Sequence, residues 1–243
     1  MEPLVIVGVD IGQKVDPTAI CVCEVERREL EPSRMEFPKR GGLFESNDLI
    51  RIPAKGEEVY VARHVGRLPL GTSYPDIARH IAELVESLVK RGISRPRIIV
   101  DSTGVGAPVV DILREALKGR SRDLIAATFT HGDKYTQNDE SHQRQGSTAS
   151  VGKAYLVSRL QALLQTNRLK LPKTPETEAL ARELKEYEIR IDQDANDKYG
   201  AFKVGTYDDL VTALGLCVVY RKPPSRQIVF HRGGVLHLSL IHI

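Results

Sequence analysis

Apolar positions follow two different spacings along this chain. Residues 4–10 and 18–27 are apolar runs joined by a short turn rich in Gly, Pro and polar residues, and this pattern predicts two antiparallel strands. In residues 74–91 the apolar positions recur every three or four residues, with Pro75 near the start and Gly92 after the end. That spacing and those end signals are typical of an amphipathic helix.

Strand and helix patterns alternate through the rest of the chain. Further strands are predicted at 58–65, 97–101, 124–129 and 168–172, helices at 107–119, 151–165, 175–187 and 207–221, and a hairpin at 189–205. Two segments lack either periodicity, so that 28–58 is predicted to be irregular and 131–150 to be a loop. Antiparallel strands followed by alternating strands and helices indicate an α/β protein with a mixed sheet and helices on its faces.

We expect one domain over most of the chain. Its 243 residues are enough for one large domain, and no second boundary is visible before residue 226. The segment 227–243 is apolar, lacks acidic residues and follows the helix-breaking sequence KPPSR. We therefore expect residues 1–226 to form the domain and residues 227–243 to be a non-native or disordered tail, with an extra edge strand as the alternative.

Composition excludes some classes of protein. No apolar run approaches the ~20 residues of a membrane-spanning helix, and the first residues lack the basic start of a secretory signal. Lys and Arg number 35 against 32 Asp and Glu, and the net charge of +3 is too mild to identify a nucleic-acid partner by itself. Cys21 and Cys23 share a strand face without completing a zinc set, so we expect buried free thiols in a reducing cytoplasm.

Three aspartates occupy positions where chemistry is expected. Asp10 interrupts an apolar strand, Asp101 ends a later strand, and Asp208 starts the last helix. If the two strands are parallel neighbours, Asp10 lies beside Asp101, and a helix packed across that point adds Asp208. Gathered carboxylates repel one another unless a cation neutralises them, and oxygen ligands without His or Cys favour Mg²⁺ or Mn²⁺. Two such ions about 3.5–4 Å apart can activate water and stabilise the leaving oxygen in phosphodiester cleavage.

Each aspartate also has a purely structural interpretation. Asp10 could accept backbone N–H groups in the turn that follows it, Asp101 could cap the turn into the next helix, and Asp208 could be an ordinary N-cap. Taken singly, the structural interpretation is the more common one. Their joint occurrence in the order strand, strand, helix favours a metal site.

Five segments of the chain together resemble one protein family. They are VGVDIGQKVDPTAI, RLPLGTSYPDI, VDSTGVGAPVVDIL, VGKAYLVSRLQALLQTNRLKLP and DDLVTALGL, in matching order over residues 4–222. They resemble the nuclease domain of phage DNA-packaging terminase large subunits, a ribonuclease H-like domain of RuvC type. The resemblance implies an α/β fold with a five-stranded mixed sheet, its first strands antiparallel and the later ones parallel, flanked by helices.

The resemblance also implies an activity and its residues. It implies cleavage of double-stranded phage DNA concatemers during genome packaging, with two Mg²⁺ or Mn²⁺ ions per site. The family's acids fall on Asp10, Asp101 and Asp208, with Asp209 as a fourth, in both catalytic and metal-binding roles. The implied partners are double-stranded DNA, the terminase ATPase domain, the small terminase subunit and the portal. The implied location is the host cytoplasm, with no membrane and no place in the virion structure.

DNA-contacting side chains form a further group of candidates. The hairpin of 189–205 matches a family element near the active site, and it carries Lys198, Tyr199 and Lys203. Lys153 begins a helix in another matching segment. All four are candidate DNA contacts, although a solvated side chain is the common alternative for Lys153.

The chain departs from the family pattern in two respects. Terminase large subunits begin with an ATPase motor, whereas the segment GVGAPVV lacks the Gly-Lys-Ser/Thr ending of a phosphate-binding loop, so we expect the nuclease part alone. Many relatives have His where this chain has Tyr207, which weakens a metal or base role at that position.

Other functions fit parts of the same pattern. A RuvC-type Holliday-junction resolvase would use the same acids but should need a dimer and branched DNA. The segments DIGQKVDPTA and DSTGVGA could be phosphate loops of an actin-like ATP-binding module, although that fold needs a longer chain with a second set of loops. A DNA-binding module without catalysis is a third alternative, which three intact acids disfavour.

Overall fold

A central β-sheet with helices on both faces organises the chain. The computed structural model describes residues 4–12, 14, 16–32, 34–36, 50–52, 55–93, 95–104, 106–138, 147–191, 197–200 and 207–220. The strands are β1 (Leu4–Asp10), β2 (Ala19–Glu31), β3 (Arg34–Glu36), β4 (Ile50–Ile52), β5 (Lys55–Arg67), β6 (Arg97–Asp101), β7 (Asp123–Thr130), β8 (Tyr135–Asn138), β9 (Ser147–Gly152), β10 (Leu169–Lys170), β11 (Glu188–Ile191) and β12 (Asp197–Gly200). The helices are α1 (Tyr74–Lys90), α2 (Gly106–Leu117), α3 (Lys153–Gln165), α4 (Pro175–Glu186) and α5 (Asp209–Val219).

The main sheet is mixed, as the sequence predicts. Its strand order is β10-β5-β2-β1-β6-β7-β9-β8. β1 pairs antiparallel with β2 and parallel with β6, so that Val7 lies between Val22 and Ile98. β6, β7 and β9 continue in parallel, and β8 returns antiparallel at the edge. The predicted fold class, with antiparallel strands first and parallel strands after, is confirmed.

The prediction of five strands was wrong, because the sheet contains eight. β8 and β9 come from the segment that the sequence predicts to be a loop. β9 buries Ser147, Ala149 and Val151 at alternate positions, but its small and polar residues give little hydrophobic signal. β8 is an edge strand without a buried residue, and β10 contains only two residues. Strands of these kinds are hard to recognise from apolar alternation alone.

The alternation of side chains along β1 separates two apolar cores. Ile6 points to one face, where it packs in a cluster with Leu160 of α3 and Leu214 of α5. Val7 points to the other face and belongs to a cluster with Ile81 of α1. The buried positions of β1 thus support helices on both faces of the sheet, which explains why the strand is almost continuously apolar.

Helix α5 lies directly against β1, with glycine at two close contacts. A Cβ atom on Gly8 would overlap the carbonyl oxygen of Ala213, and a Cβ atom on Gly215 would overlap the side chain of Leu156 on α3. Only a residue without a side chain fits at either position. These contacts set the distance of α5 from the sheet and thereby the position of its N-terminus.

The ends of α1 and α4 follow the signals in the sequence. The hydroxyl of Ser73 accepts a hydrogen bond from the N–H of Asp76, and that of Thr174 accepts one from the N–H of Thr177. After α1, Gly92 adopts a φ of 85°, a conformation that favours glycine. Among the described helices, none combines the length and the hydropathy needed to cross a membrane.

The chain forms two compact units. The larger contains residues 1–26 and 59–220, and the smaller contains 27–58 and 221–243. In the smaller unit β3 pairs antiparallel with β4, so the segment predicted to be irregular contains regular strands. The domain of 1–226 and its tail stay predictions, since residues after Tyr220 lie outside the described part of the chain.

The predicted hairpin before the last helix is present. β11 pairs antiparallel with β12, and Ile191 lies opposite Asp197. The residues between them, 192–196, lie outside the described residues.

Candidate active site

Three predicted aspartates, Asp10, Asp101 and Asp208, line one cavity at the carboxyl ends of β1 and β6, together with the predicted fourth, Asp209. The two strands are parallel neighbours with Val9 paired to Val100, so the next residues, Asp10 and Asp101, stand side by side at the same edge. Asp208 precedes the first turn of α5 and lines the same cavity, whose volume is about 450 Å³. The three residues meet as the order strand, strand, helix predicts, while their catalytic and metal-binding roles stay predictions.

The structural interpretations of Asp10 and Asp101 apply only in part. The N–H of Gly12 donates to the hydroxyl of Thr18 at 3.2 Å, and this hydroxyl donates to the carbonyl of Gly12 at 2.8 Å. The turn after β1 is therefore closed by Thr18. Asp101 does accept a turn hydrogen bond, because the N–H of Thr103 donates to its Oδ1 at 2.7 Å.

The first turn of α5 is capped by another helix. Asp208 occupies the N-cap position, but its side chain makes no capping hydrogen bond. Instead, Oε2 of Glu183 on α4 accepts the N–H groups of Leu210 at 3.1 Å and Val211 at 3.3 Å. The interpretation of Asp208 as an ordinary N-cap does not describe this arrangement.

Burial and repulsion make the carboxylate cluster electrostatically unfavourable. Burial is the largest cause that raises the pKa of Asp10 well above its usual value, and the charges of Asp101, Asp208 and Asp209 raise it further. Burial also raises the pKa of Asp101, with a smaller contribution from Asp208, against the hydrogen bonds of Thr103. Both shifts mean that the folded protein favours the protonated, neutral form of these two carboxyl groups.

Lys153 is the predicted DNA contact that the structure places at the cavity. It is the first residue of α3, and its positive charge lowers the pKa values of Asp10 and Asp101 in opposition to their burial. The preceding residue is Gly152, where a Cβ atom would overlap the carbonyl oxygen of Gly132. This close approach of the loop after β7 fixes the start of α3 and thus the position of Lys153.

The other predicted DNA contacts lie on or beyond the hairpin. Lys198 and Tyr199 belong to β12, of which the structure describes the backbone and not the side chains. Lys203 lies outside the described residues. Their role in DNA binding stays a prediction.

Asp209, the predicted fourth acid, has an arginine as its partner. The side chain is buried, with 3% of the residue exposed. Nε of Arg67 donates to Oδ2 of Asp209 at 2.6 Å, and Nη2 donates to Oδ1 at 2.8 Å. Nη2 of Arg67 also donates to Oε1 of Glu183. The guanidinium of Arg67 thus pairs with two buried acids, Asp209 and Glu183. The role of Asp209 as a metal ligand stays a prediction.

Sequence reasoning missed several residues around the cavity. Arg67 and Glu183 have no local signal, because their partners are distant along the chain. Asp16 had a signal that was overlooked: it is a second acid in the turn that follows Asp10. The cavity is also lined by Ile11, Gly12, Lys14, Pro17, Tyr74, Thr103, Phe129 and Thr212.

The donor set of the cavity fits hard divalent cations. Within the described residues, its lining contains several carboxylates and no His or Cys, and oxygen ligands of this kind suit Mg²⁺ or Mn²⁺. Among the described His, Cys, Asp and Glu side chains, one group of three or more has all its ligand atoms within 4.8 Å of one another. That group consists of cysteines. The aspartates are therefore more widely spread than the ligands of one shared ion.

The cysteine group lies in the apolar core. Sγ of Cys21 and Sγ of Cys23 are 3.8 Å apart on β2, and Cys217 joins them from α5. Sγ of Cys217 donates to the carbonyl oxygens of Ile6 and Cys21. All three thiols are free and buried, which confirms the prediction. The spacing in the sequence does not show that Cys217 joins the pair.

The fold of the chain is similar to that of solved nucleases. No family model matches the chain, and no curated protein matches it. The crystal structure of the large terminase nuclease from thermophilic phage G20c with bound magnesium is similar at a TM-score of 0.52 and 15% identity, covering 89% of this chain and 81% of that chain. Another crystal structure of the same nuclease gives 0.52 and 14%, covering 90% and 83%. The resemblance seen in the sequence is thus confirmed at the level of the fold, and this chain has the ribonuclease H-like fold of the large terminase nuclease.

Proposed function

We propose that this chain is a metal-dependent endonuclease that cuts double-stranded DNA, with phage DNA concatemers as its substrate during genome packaging. The observation that carries the proposal is the meeting of Asp10, Asp101 and Asp208 in one cavity. The raised pKa values of Asp10 and Asp101 show that the cluster is unfavourable without a cation. The fold shared with a terminase nuclease supports the same conclusion.

The aspartates supply the oxygen atoms that such a site needs. Asp10, Asp101 and Asp208 would hold the ions, while Asp209, which lines the same cavity, is paired with Arg67. Two bound Mg²⁺ or Mn²⁺ ions would activate a water molecule and stabilise the leaving oxygen of a phosphodiester. These aspartates lie at the ends of two strands and at the N-cap of one helix, and the three elements are held by the sheet and by the core, so their positions depend on packing.

Lys153 would bind the DNA phosphate beside the acids. Its charge acts on both Asp10 and Asp101, so a basic side chain lies next to the carboxylates in the cavity. A phosphate brought to the metal ions would meet this lysine, which can neutralise part of its charge. Lys198, Tyr199 and Lys203 on the hairpin would extend the contact along the duplex.

The proposed partners and location follow from the resemblance in the sequence. They are double-stranded DNA, the terminase ATPase domain, the small terminase subunit and the portal, in the host cytoplasm. A motor supplied by another domain or chain would move the DNA, and this chain would cut it.

A plasmid-nicking assay tests the activity. The purified protein should nick supercoiled DNA with Mg²⁺ or Mn²⁺ and leave it intact in EDTA. Asp10→Asn, Asp101→Asn and Asp208→Asn should each abolish nicking while circular dichroism shows an intact fold, and Asp209→Asn should have an equal or milder effect. Asp111→Asn is the matched control, because Asp111 is an exposed acid on α2 that is paired with Arg114.

Two outcomes would contradict the proposal. Cleavage that persists in EDTA, or near-normal nicking by Asp101→Asn with Mn²⁺, would show that the aspartates do not hold a catalytic metal. Linear duplex and a four-way junction should be compared in the same assay. Cleavage of the junction alone would replace the packaging nuclease with a junction resolvase.

A further inference from the structure

The N-terminus of α5 has an unusual source for its cap. An N-cap side chain normally accepts the N–H of the second or third helical residue. In α5 these residues are Leu210 and Val211, and both donate to Oε2 of Glu183 on α4. Asp208, at the N-cap position, makes no capping hydrogen bond and lines the cavity. A glutamate from a different helix thus performs the task that Asp208 would otherwise perform.

Arg67 also holds the first turn of α5. Its guanidinium donates to both oxygens of Asp209 and to Glu183. It also lies over the ring of Tyr207, with Cζ 5.4 Å from the ring centroid. Arg67 therefore contacts the residue before Asp208 and the residue after it.

Burial makes this arrangement stiff. Glu183 and Asp209 are 7% and 3% exposed, and each would lose its ion-pair partner if Arg67 were removed. Arg67 is the last residue of β5, so a strand of the main sheet anchors the first turn of α5. The backbone around Asp208 is thereby tied to β5 and to α4 at the same time.

We propose that Glu183 and Arg67 are positioning residues for the metal site. Glu183 caps α5 in place of Asp208, and Arg67 fixes the neighbours of Asp208, so that the Asp208 carboxylate is directed to the cavity. The proposal rests on the proposed metal-dependent function. It assigns neither Glu183 nor Arg67 a direct contact with an ion or with DNA.

Removing the cap should weaken metal binding. In Glu183→Ala, Asp208 can itself accept the N–H of Leu210 or that of Val211, which turns its carboxylate back onto the helix and leaves the other N–H without its cap. We expect the dissociation constant for Mn²⁺, measured by isothermal titration calorimetry, to rise about tenfold or more, since loss of residues that orient ligands typically costs about 10–100-fold in metal affinity. Glu183→Gln keeps an oxygen that can accept the two N–H groups, so its affinity should stay closer to that of the wild type.

Arg67 tests the second half of the proposal. Arg67→Lys keeps the positive charge but loses the fork that reaches two acids, so we expect metal affinity between those of the wild type and Glu183→Ala. Asp123→Ala is the matched control, because it breaks the Arg97–Asp123 ion pair at the other ends of β6 and β7, far from the site along the strands. It should lower the melting temperature and leave the Mn²⁺ affinity unchanged.

Hydrogen exchange separates failure of this proposal from failure of the proposed function. Exchange at one of the two amides, Leu210 or Val211, should be faster in Glu183→Ala than in the wild type, because Asp208 can replace Glu183 at only one of them. Exchange at both should be unchanged in Asp123→Ala. A wild type that neither binds Mn²⁺ nor nicks DNA would overturn the proposed function and the positioning role with it. A wild type that does both, with Glu183→Ala equal to it in Mn²⁺ affinity or in amide exchange, would overturn the positioning role alone. If Glu183→Ala does not fold, Arg67→Lys carries the comparison, and a Mn²⁺ affinity of Arg67→Lys equal to that of the wild type would overturn the positioning role.

Discussion

Asp10 ends a strand whose residues 5–9 are buried and almost entirely apolar, and this position explains its chemistry. A carboxylate there loses much of its hydration, and the neighbouring aspartates add their charges, so its pKa is raised well above the usual value. The same features that make the charge costly make the position a good place for a cation. The single residue therefore links a stability cost to the proposed binding of a metal ion.

The metal-free protein should lose stability as the pH rises above about 4. In the unfolded chain the pKa of Asp10 is about 3.9. In the folded state its raised pKa keeps the carboxyl group protonated to a higher pH. The folded state then binds more protons than the unfolded state, so the free energy of unfolding falls as pH rises through that window. Asp10→Asn removes this titration. Its melting temperature in EDTA should exceed that of the wild type by a margin that grows with pH and then levels off.

Thermal melts in EDTA at a series of pH values between 4 and 8 check this expectation. Asp111→Asn is again the control, since Asp111 is exposed on α2, and its difference from the wild type should not follow the same curve. A margin for Asp10→Asn that is constant over the whole range would contradict the raised pKa.

At the scale of elements, α5 determines where the third acid lies. Its contact with β1 is so close that only glycine fits at position 8, and its N-terminal turn is held by β5 and α4. The apolar sequence of α5 packs on the sheet, and its polar start reaches the cavity. The position of Asp208 is thus a consequence of how one buried helix lies on one strand.

Gly8→Ala should damage the site through packing alone. The added methyl group would meet the carbonyl of Ala213, so α5 must shift, and overpacking of this kind typically costs about 1–3 kcal/mol. We expect a lower melting temperature and weaker Mn²⁺ binding together. Val7→Ala, on the opposite face of the same strand, should also lower the melting temperature but leave Mn²⁺ affinity unchanged, because Val7 packs in the cluster of α1 and α2. Equal metal affinity in the two variants would show that α5 does not set the site.

At the scale of the whole molecule, the sequence predicts the parts that rest on strong local patterns. The bounds of β1, the end of β6 at Asp101 and the start of α5 follow from apolar runs and from end signals, and parallel pairing then brings Asp10 and Asp101 together. β9 escaped prediction because Ser, Thr and Ala carry too little hydrophobic signal. The bonds of Arg67 to Glu183 and Asp209 escaped because they join residues more than 100 positions apart, which no local pattern records.

DNA binding by the whole chain should be weak, insensitive to sequence and strongly dependent on salt. A net charge of +3 gives no strong general attraction, so contacts to phosphates must carry the affinity. With six or more such contacts, affinity should fall by about 10³-fold or more between 50 and 200 mM salt. Fluorescence anisotropy with two unrelated duplexes measures both properties. A tight complex with one sequence that persists at high salt would contradict the expectation.

Metal ions should stabilise the whole fold. An ion that binds only the folded state stabilises it by RT ln(1 + [L]/Kd), which is about 2.7 kcal/mol at a hundredfold excess over Kd. The wild type should therefore melt at a higher temperature as Mg²⁺ or Mn²⁺ is added. Asp101→Asn should melt above the wild type in EDTA, because it removes one of the crowded charges, and should lose most of the gain from metal.

Four thermal melts, of the wild type and Asp101→Asn with and without metal, separate a metal site from a set of structural aspartates. Asp101 accepts a hydrogen bond from the N–H of Thr103, so a purely structural role predicts that the substitution lowers the melting temperature and that divalent ions have no effect. A metal site predicts the opposite sign in EDTA, since burial and repulsion outweigh the turn hydrogen bond in the pKa of Asp101. The sign of the difference in EDTA and the presence of a metal-dependent gain are independent readouts. If Asp101→Asn melts below the wild type in EDTA and divalent ions do not stabilise the wild type, the basis for a nuclease at this edge of the sheet is removed.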